Sequence, residues 1–191
     1  MSAMDIMASE AVVLIDVQNA ILDIPGMKRP DETRAAFDGL VGRIANFVER
    51  ARNRGIPVLF VQHDGQPGHR LERGLPGWQI RRELAPMRDE VVIPKTACDA
   101  FFKTGLESEL SSRKISSLIV AGCMTQYCVD TSVRRAVSLG YDVTLAEDGH
   151  LTADTESLTF DQIIAHHNAL LDGFDAGEHS VRVEPFERIS L

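Results

Sequence analysis

Short runs of apolar residues recur along the chain and alternate with longer stretches in which apolar positions follow a helical period. Each run is continuous rather than alternating, which is typical of strands buried on both faces of a sheet. The predicted strands are 11–16 (AVVLID), 58–63 (VLFVQH), 90–95, 117–122 (SLIVAG), 141–148 and 180–185. Strands that alternate with helices predict an α/β fold, with a mostly parallel six-stranded sheet in a three-layer α/β/α arrangement.

Helix end signals lie between these strands. Asp31 is the expected N-cap of a long amphipathic helix that ends before Gly55. Residues 64–89, rich in Gly, Pro and Arg, predict a long connection with a short helix near 79–84, and loops of that length are often functional. Further helices are expected at 104–113, 127–139 and 154–171.

The composition is that of a globular protein, with 44% hydrophobic and 25% charged residues. We expect residues 1–191 to form one domain, since no linker or internal repeat divides them. A net charge of −8 argues against nucleic acid or an anionic membrane surface as a partner. The segment MSAMDIMASE lacks the pattern of a signal peptide, and three cysteines without paired spacing favour a reducing compartment. We therefore expect a cytoplasmic protein.

Chemically capable side chains stand at the ends of the predicted strands. Asp16, His63 and Lys95 end the first three strands, and Cys128 follows the fourth. Ligands of open α/β sheets bind beyond the carboxyl ends of the strands. The sequence therefore predicts that these four residues converge on one edge of the sheet and form a site.

Cys128 is the expected nucleophile of this site. It falls just inside the start of the predicted helix 127–139, where unpaired N–H groups favour a thiolate and can hold an oxyanion. We expect a lowered thiol pKa, so that iodoacetamide labels Cys128 ahead of the other cysteines. Cys98 and Cys123 lack this position and are interpreted as inert core residues.

The partners of Cys128 each allow two interpretations. Asp16 is either the base that takes the thiol proton or a cap on a neighbouring loop. Lys95 is either a cation that lowers the pKa of both anions or a solvated lysine at a strand end. His63, with Asp64 and His69, suggests a metal site, but the spacing fits no standard zinc pattern. We favour a pocket role for His63 and expect no metal and no cofactor.

Three segments carry a resemblance to a known family. They are VVLIDVQNAIL (12–22), the K-x-x-x-DAF-x-x-T-x-L stretch (95–106) and VAGCMTQYCVDTSVRRAVSLGYDV (120–143). With Asp16, Lys95 and Cys128 in this order, the chain resembles the isochorismatase-like cysteine hydrolase superfamily, which includes nicotinamidases and N-carbamoylsarcosine amidohydrolases. Within it, the segments at 146–154 and 163–168 are similar to hydrolases of the streptothricin hydrolase type. Ser132 stands where the family pattern has threonine.

The resemblance implies a catalytic triad of Asp16, Lys95 and Cys128 that cleaves a C–N bond of a small amide, carbamoyl or lactam substrate through a thioester. It also implies a cis peptide bond between Cys123 and Met124, an oxyanion hole formed by the N–H groups of Met124 and Cys128, and a homodimer or homotetramer. Candidate substrate-binding residues are Gln18, Asn19, His63, Trp78, Phe102 and Tyr127.

Three alternatives stay open on the sequence. The protein could hydrolyse a non-amide bond, as isochorismatases do, or it could be a non-catalytic binding protein that keeps the fold. A thiol redox function for Cys128 is the third, but the chain has no C-x-x-C motif and no evident resolving cysteine near the predicted site.

Overall fold

The computed structural model of the protein describes residues 9–191. The prediction that the segment MSAMDIMASE is not a signal peptide concerns residues 1–10. Residues 1–8 of this segment lie outside the described residues. Within 9–191 there are seven strands, and they form one sheet of order β3-β2-β1-β4-β5-β7-β6. The strands are β1 Glu10–Ile15, β2 Val58–His63, β3 Val91–Lys95, β4 Ser117–Cys123, β5 Asp142–Leu151, β6 Asp175–Ala176 and β7 His179–Glu184.

The sheet is parallel from β3 to β7, which confirms the predicted mostly parallel α/β fold. The seventh strand is the difference from the prediction. β6 pairs antiparallel with β7 at only two positions, Asp175 with Ser180 and Ala176 with His179. Two residues are too few to produce a hydrophobic pattern, so this strand had no signal in the sequence.

Four α-helices connect the strands of the described chain. They are α1 Pro30–Asn53, α2 Leu106–Ser112, α3 Asp130–Ser138 and α4 Phe160–Leu171. The predicted N-cap of α1 was wrong: the N-cap is Arg29, Pro30 occupies the first turn, and Asp31 lies inside that turn. Proline is favoured at that position, and an acidic residue there is favoured by the helix dipole.

The last helix also begins later than predicted. Thr159 caps α4 through a capping box with Gln162, whereas the predicted start was Asp154. The Asp154 carboxylate instead accepts hydrogen bonds from Arg29 Nε at 2.7 Å and from the Phe160 N–H at 2.8 Å. Asp154 therefore anchors the loop before α4 to the loop before α1.

Both faces of the sheet are buried. In β1, Val12 and Leu14 belong to a core that includes Phe47 of α1, while Val13 and Ile15 belong to a second core on the opposite face. That second core contains residues of α2 and α3, including Leu110 and Val133. The alternation explains why the strand is continuously apolar. None of the helices within residues 9–191 has the length and apolarity needed to cross a bilayer.

Gly122 allows close contact between β1 and β4 at the edge where the strands end. Its φ is +135°, and a Cβ at this position would lie 2.8 Å from the backbone N and C of Ile15 and closer still to the Ile15 carbonyl oxygen. Only glycine fits this position without displacing backbone. Asp16 follows Ile15 directly, so Gly122 fixes the distance between the first and fourth strand ends.

Candidate active site

A cavity of about 320 Å³ opens at the carboxyl ends of β1, β2 and β4. This volume is near the lower end for small-molecule sites. The site-related residues that line it include Asp16, His63, Cys98, Met124, Tyr127 and Cys128. The predicted convergence of strand ends therefore produces a real cavity.

Lys95 links Asp16 and Cys128 at the base of this cavity. Its Nζ lies 2.7 Å from Asp16 Oδ2 and donates hydrogen bonds to Cys128 Sγ at 3.3 Å and to the Ala97 carbonyl oxygen at 2.8 Å. The Asp16 and Lys95 side chains are both fully buried. A buried ammonium needs this many partners because the charge has no water around it. Lys95 is thus not a solvated lysine at a strand end.

Asp16 and Cys128 are held by unusual backbone. Asp16 has a φ of 51°, in the left-handed region, and its N–H donates to the Val61 carbonyl oxygen at 2.9 Å. Cys128 lies in a π-helical turn, Thr125–Val129, that precedes α3. Cys128 therefore lies near the start of a helix, as predicted, but this first turn is π-helical and the α-helical part, α3, begins only at Asp130. The peptide bond between Cys123 and Met124 is cis.

The direction in which the site shifts the pKa of Cys128 differs from the expectation. Burial raises the pKa of the Cys128 thiol, the Asp16 carboxylate raises it further, and Lys95 opposes both effects. Burial likewise raises the pKa of Asp16 against the attraction of Lys95. For Lys95, burial lowers the pKa, but the charges of Asp16 and Cys128 outweigh it and the pKa is raised. A third charge beside a buried ion pair is unfavourable, and this electrostatic cost favours the thiol form of Cys128.

The direction of the Cys128 pKa shift is thus opposite to the expected lowering, and the order in which iodoacetamide labels the three cysteines stays a prediction. Cys98, predicted to be a core residue, is exposed and stands at the edge of the same cavity. Cys123 is buried as predicted, and burial raises its thiol pKa. Cys98 follows β3 at the same sheet edge as Lys95. Its position three residues after Lys95 is the feature of the sequence from which its place at the cavity could have been predicted.

Two of the predicted substrate-binding residues line the cavity. The side chain of His63 lies within it, and burial, followed by the charge of Lys95, lowers the pKa of His63 to about 4. His63 is therefore neutral near pH 7. Tyr127 lies beside Cys128 and is 49% exposed, so its ring borders the opening.

Gln18 and Trp78 lie behind the cavity and are not part of its lining. The buried Gln18 amide donates to the His63 and Trp78 carbonyl oxygens at 3.0 and 2.7 Å and accepts from the His63 N–H at 3.0 Å. Trp78 Nε1 donates to Asp64 Oδ1 at 2.6 Å. These bonds tie the long connection after β2 to the ends of β1 and β2.

Asn19 and Phe102 also lie outside the cavity lining. Asn19 is exposed and donates to the Pro76 carbonyl oxygen at 2.9 Å. Phe102 is 52% exposed and is not among the residues that line the cavity. Within residues 9–191, no cluster of three or more His, Cys, Asp or Glu side chains is arranged to hold a metal ion. Asp64 is instead engaged by Trp78 and by Arg73 at 3.4 Å.

Several lining residues had no signal in the sequence. They lie in the connection after β1 and in the long loop after β2, where no hydrophobic period predicts which side chains point inward. These residues are Ile21, Ile24, Arg70 and Leu71; His69, which the sequence suggested only as part of a metal site, also lines the cavity.

Comparison with known proteins assigns the family. The isochorismatase domain matches residues 10–166. Streptothricin hydrolase of Streptomyces noursei is 34% identical over 145 residues, which are 76% of this chain and 50% of that protein. The chain thus spans about half the length of this relative. Ureidoacrylate amidohydrolase RutB of Agrobacterium fabrum is 31% identical over 180 residues, covering 75% of this chain and 77% of the relative.

A solved structure agrees with these sequence matches. A hydrolase of the isochorismatase family from Chromobacterium violaceum superposes with a TM-score of 0.79 at 31% identity. The match covers 98% of this chain and 95% of that one. Fold and sequence therefore agree, and the chain belongs to the isochorismatase family of hydrolases.

Proposed function

We propose that the protein is a cysteine amidohydrolase that cleaves a C–N bond of a small amide, carbamoyl or lactam compound through a thioester on Cys128. The contact of Lys95 with both Asp16 and Cys128 is the observation that carries the proposal. This contact joins a carboxylate, an ammonium group and a thiol, and it supports their assignment as base, cation and nucleophile; Asp16 and Cys128 both line the cavity. The amidohydrolase activity in the name of the related RutB supports the same bond type.

In the first step, Cys128 Sγ attacks the substrate carbonyl carbon while its proton passes to the Asp16 carboxylate. Because the raised pKa favours the thiol form of Cys128, this proton transfer accompanies attack in the proposed mechanism. Asp16 Oδ1 is buried and has no hydrogen-bond partner among the described residues, so it can accept the proton. The carbonyl electron pair moves to oxygen, and the N–H groups of Met124 and Cys128 are the proposed donors to this oxyanion.

In the second step, the tetrahedral intermediate collapses and the C–N bond breaks. Asp16 returns its proton to the leaving nitrogen, which departs as ammonia or an amine and leaves a thioester on Cys128. Water then attacks the thioester while Asp16 takes one of its protons. The C–S bond breaks, the carboxylic acid leaves, and the proton on Asp16 restores the thiol. Throughout the cycle Lys95 keeps an opposite charge beside Asp16 and Sγ.

No cofactor enters this mechanism, and the partner is a small molecule that fits the cavity. Assembly into a homodimer or homotetramer and a cytoplasmic location stay predictions. Size exclusion with light scattering would measure the first of these.

Substitution of Cys128 by alanine tests the proposal directly. Across a panel of primary amides, ureido compounds and lactams, the wild-type protein should release ammonia or amine, and Cys128→Ala should lose at least about 10³-fold of that activity. Acid quenching during turnover should trap an acyl adduct on the Cys128 peptide, detected by mass spectrometry.

Cys98→Ala is the matched control, because it removes the other thiol of the same cavity. This variant should still form the adduct on Cys128. Full activity of Cys128→Ala, or an adduct on Cys98 instead, would contradict the proposed nucleophile.

A further inference from the structure

Arg70 places a guanidinium group in the same cavity as the nucleophile. Its side chain lines the cavity together with Cys128 and is only partly exposed. Nε and Nη2 donate to the Ile21 carbonyl oxygen at 3.3 and 3.1 Å, and Nη1 lies 3.5 Å from His69 Nε2. A guanidinium carries five N–H donors, so these contacts leave part of its donor fork unused.

No carboxylate within residues 9–191 forms an ion pair with Arg70 at 4.0 Å or less. Other partly buried arginines of this chain do have such partners: Arg29 with Asp154 at 2.7 Å and Arg52 with Glu90 at 2.7 Å. Burial lowers the pKa of Arg70, and Asp23 opposes this from a longer distance. A desolvated cation without a contacting anion is costly unless a ligand supplies one.

The loop around Arg70 holds the side chain in place. The Gly65 N–H donates to the Leu71 carbonyl oxygen at 2.8 Å, and the Leu71 N–H donates to His69 Nδ1 at 3.2 Å. A Cβ on Gly65 would lie 2.8 Å from the Leu71 carbonyl, so the two ends of this turn are in close contact. The guanidinium is therefore presented by an ordered turn, which reduces the entropy lost when a ligand binds.

The remaining charges of the cavity are already balanced. Asp16 is paired with Lys95, and His63 is neutral near pH 7. The other side chains beside Arg70 include Ile21, Ile24 and Leu71, which are apolar. Arg70 is thus the unbalanced charge of the described cavity, in a chain whose net charge of −8 would otherwise repel anions.

We propose that Arg70 binds a carboxylate of the substrate, so that the substrate is a small amide that also carries an acidic group. The inference rests on the proposed function, because it takes the reacting carbonyl to lie at Cys128. Planar pairing of guanidinium with carboxylate gives both affinity and orientation. Arg70 would then hold the acidic end while the amide carbon lies at Sγ, and the cavity of about 320 Å³ limits such a substrate to a small molecule.

Two alkylating reagents of nearly equal size test this charge preference without knowledge of the natural substrate. Iodoacetate carries a carboxylate and iodoacetamide carries a neutral amide. With either reagent, Cys128 Sγ forms a bond to the methylene carbon and expels iodide. Rates are measured at one pH on the alkaline side, where part of the thiol is ionised, by mass spectrometry of the Cys128 peptide.

Arg70→Met should slow the reaction of Cys128 with iodoacetate about tenfold to hundredfold more than its reaction with iodoacetamide. Arg70→Lys should retain part of the iodoacetate rate. Arg73→Met is the matched control: this arginine lies on the same loop, is 71% exposed and pairs with Asp64 outside the cavity. It should alter neither rate.

Two outcomes would overturn the assignment of Arg70. An unchanged iodoacetate rate in Arg70→Met would show that the guanidinium does not bind the anion. An equal loss with both reagents would show that Arg70 only maintains the shape of the cavity. If neither reagent modifies Cys128 in the wild-type protein, the proposed function fails instead, and the assignment of Arg70 fails with it.

Discussion

Asp16→Asn is expected to lose roughly 10²–10⁴-fold of the hydrolytic activity while its Cys128 thiol becomes more acidic. The two effects have one cause. In the proposed mechanism the carboxylate accepts and returns the proton, so its loss should remove acid–base catalysis. The same carboxylate disfavours a neighbouring thiolate, and its removal leaves Lys95, whose Nζ lies 3.3 Å from Sγ, as the nearest charge.

The direction of the pKa change is measured by the pH dependence of iodoacetamide modification of Cys128. The midpoint of the rate against pH should be lower for Asp16→Asn than for the wild-type protein. Lys95→Met should change the Cys128 thiol pKa in the opposite direction. With the ammonium group removed and Asp16 retained, the thiol pKa should rise further. Near-ultraviolet circular dichroism checks that each variant is folded, because breaking a buried pair costs about 3–5 kcal/mol.

A profile at higher pH for Asp16→Asn would contradict the electrostatic account of the site. Full hydrolytic activity in this variant would exclude Asp16 as the base. The two readouts are independent, because alkylation needs only the thiolate, whereas hydrolysis needs proton transfer in both directions.

Gly122→Ala is expected to lower the free energy of unfolding by about 2–6 kcal/mol. Two costs add at this residue: alanine disfavours the left-handed φ, and its Cβ clashes with neighbouring backbone. The new Cβ would meet the backbone of Ile15, and backbone cannot move aside as a flexible side chain can. Because Asp16 follows Ile15, the displacement should also separate Asp16 from Cys128. Activity should therefore fall together with stability, as measured by urea unfolding and the amide assay.

Gly42→Ala is the matched control for this substitution. Gly42 lies inside α1, is exposed, and has no atom within 4 Å of the position of a Cβ. Alanine there should stabilise the protein by about 0.5–1 kcal/mol through helix propensity. A destabilisation of similar size in both variants would mean that the close contact between β1 and β4 is not the cause.

The buried strands could be predicted closely because a fully covered parallel sheet leaves a continuous apolar run. The run 58–63 coincides with β2, and 11–16 differs from β1 by one residue at each end. Helix starts were harder to predict, since several acidic residues near each start could serve as caps. Asp154 looked like a cap but pairs with Arg29, which is distant in sequence.

The candidate site divides in the same way. Asp16, Lys95 and Cys128 could be brought together from sequence because strand ends of a parallel sheet share an edge. The direction of their pKa shifts could not be predicted from sequence, because the burial that raises the thiol pKa comes from tertiary packing. The π-helical turn that holds Cys128 could not be predicted either, because it leaves no periodic pattern in the sequence. Arg70 was missed because nothing in the irregular loop 64–89 shows which side chain turns inward.

Gln18 has a consequence for how such proteins can diversify. Its amide holds the backbone of His63 and Trp78, the two ends of the loop that carries Arg70. A loop fastened at its base can exchange its interior residues while the strand ends that hold Asp16 and Lys95 stay in place. Under the proposed function, reaction chemistry and substrate choice would be encoded in separable parts of the chain. Grafting residues 65–77 from a relative should then transfer preference between substrates without rebuilding the nucleophile.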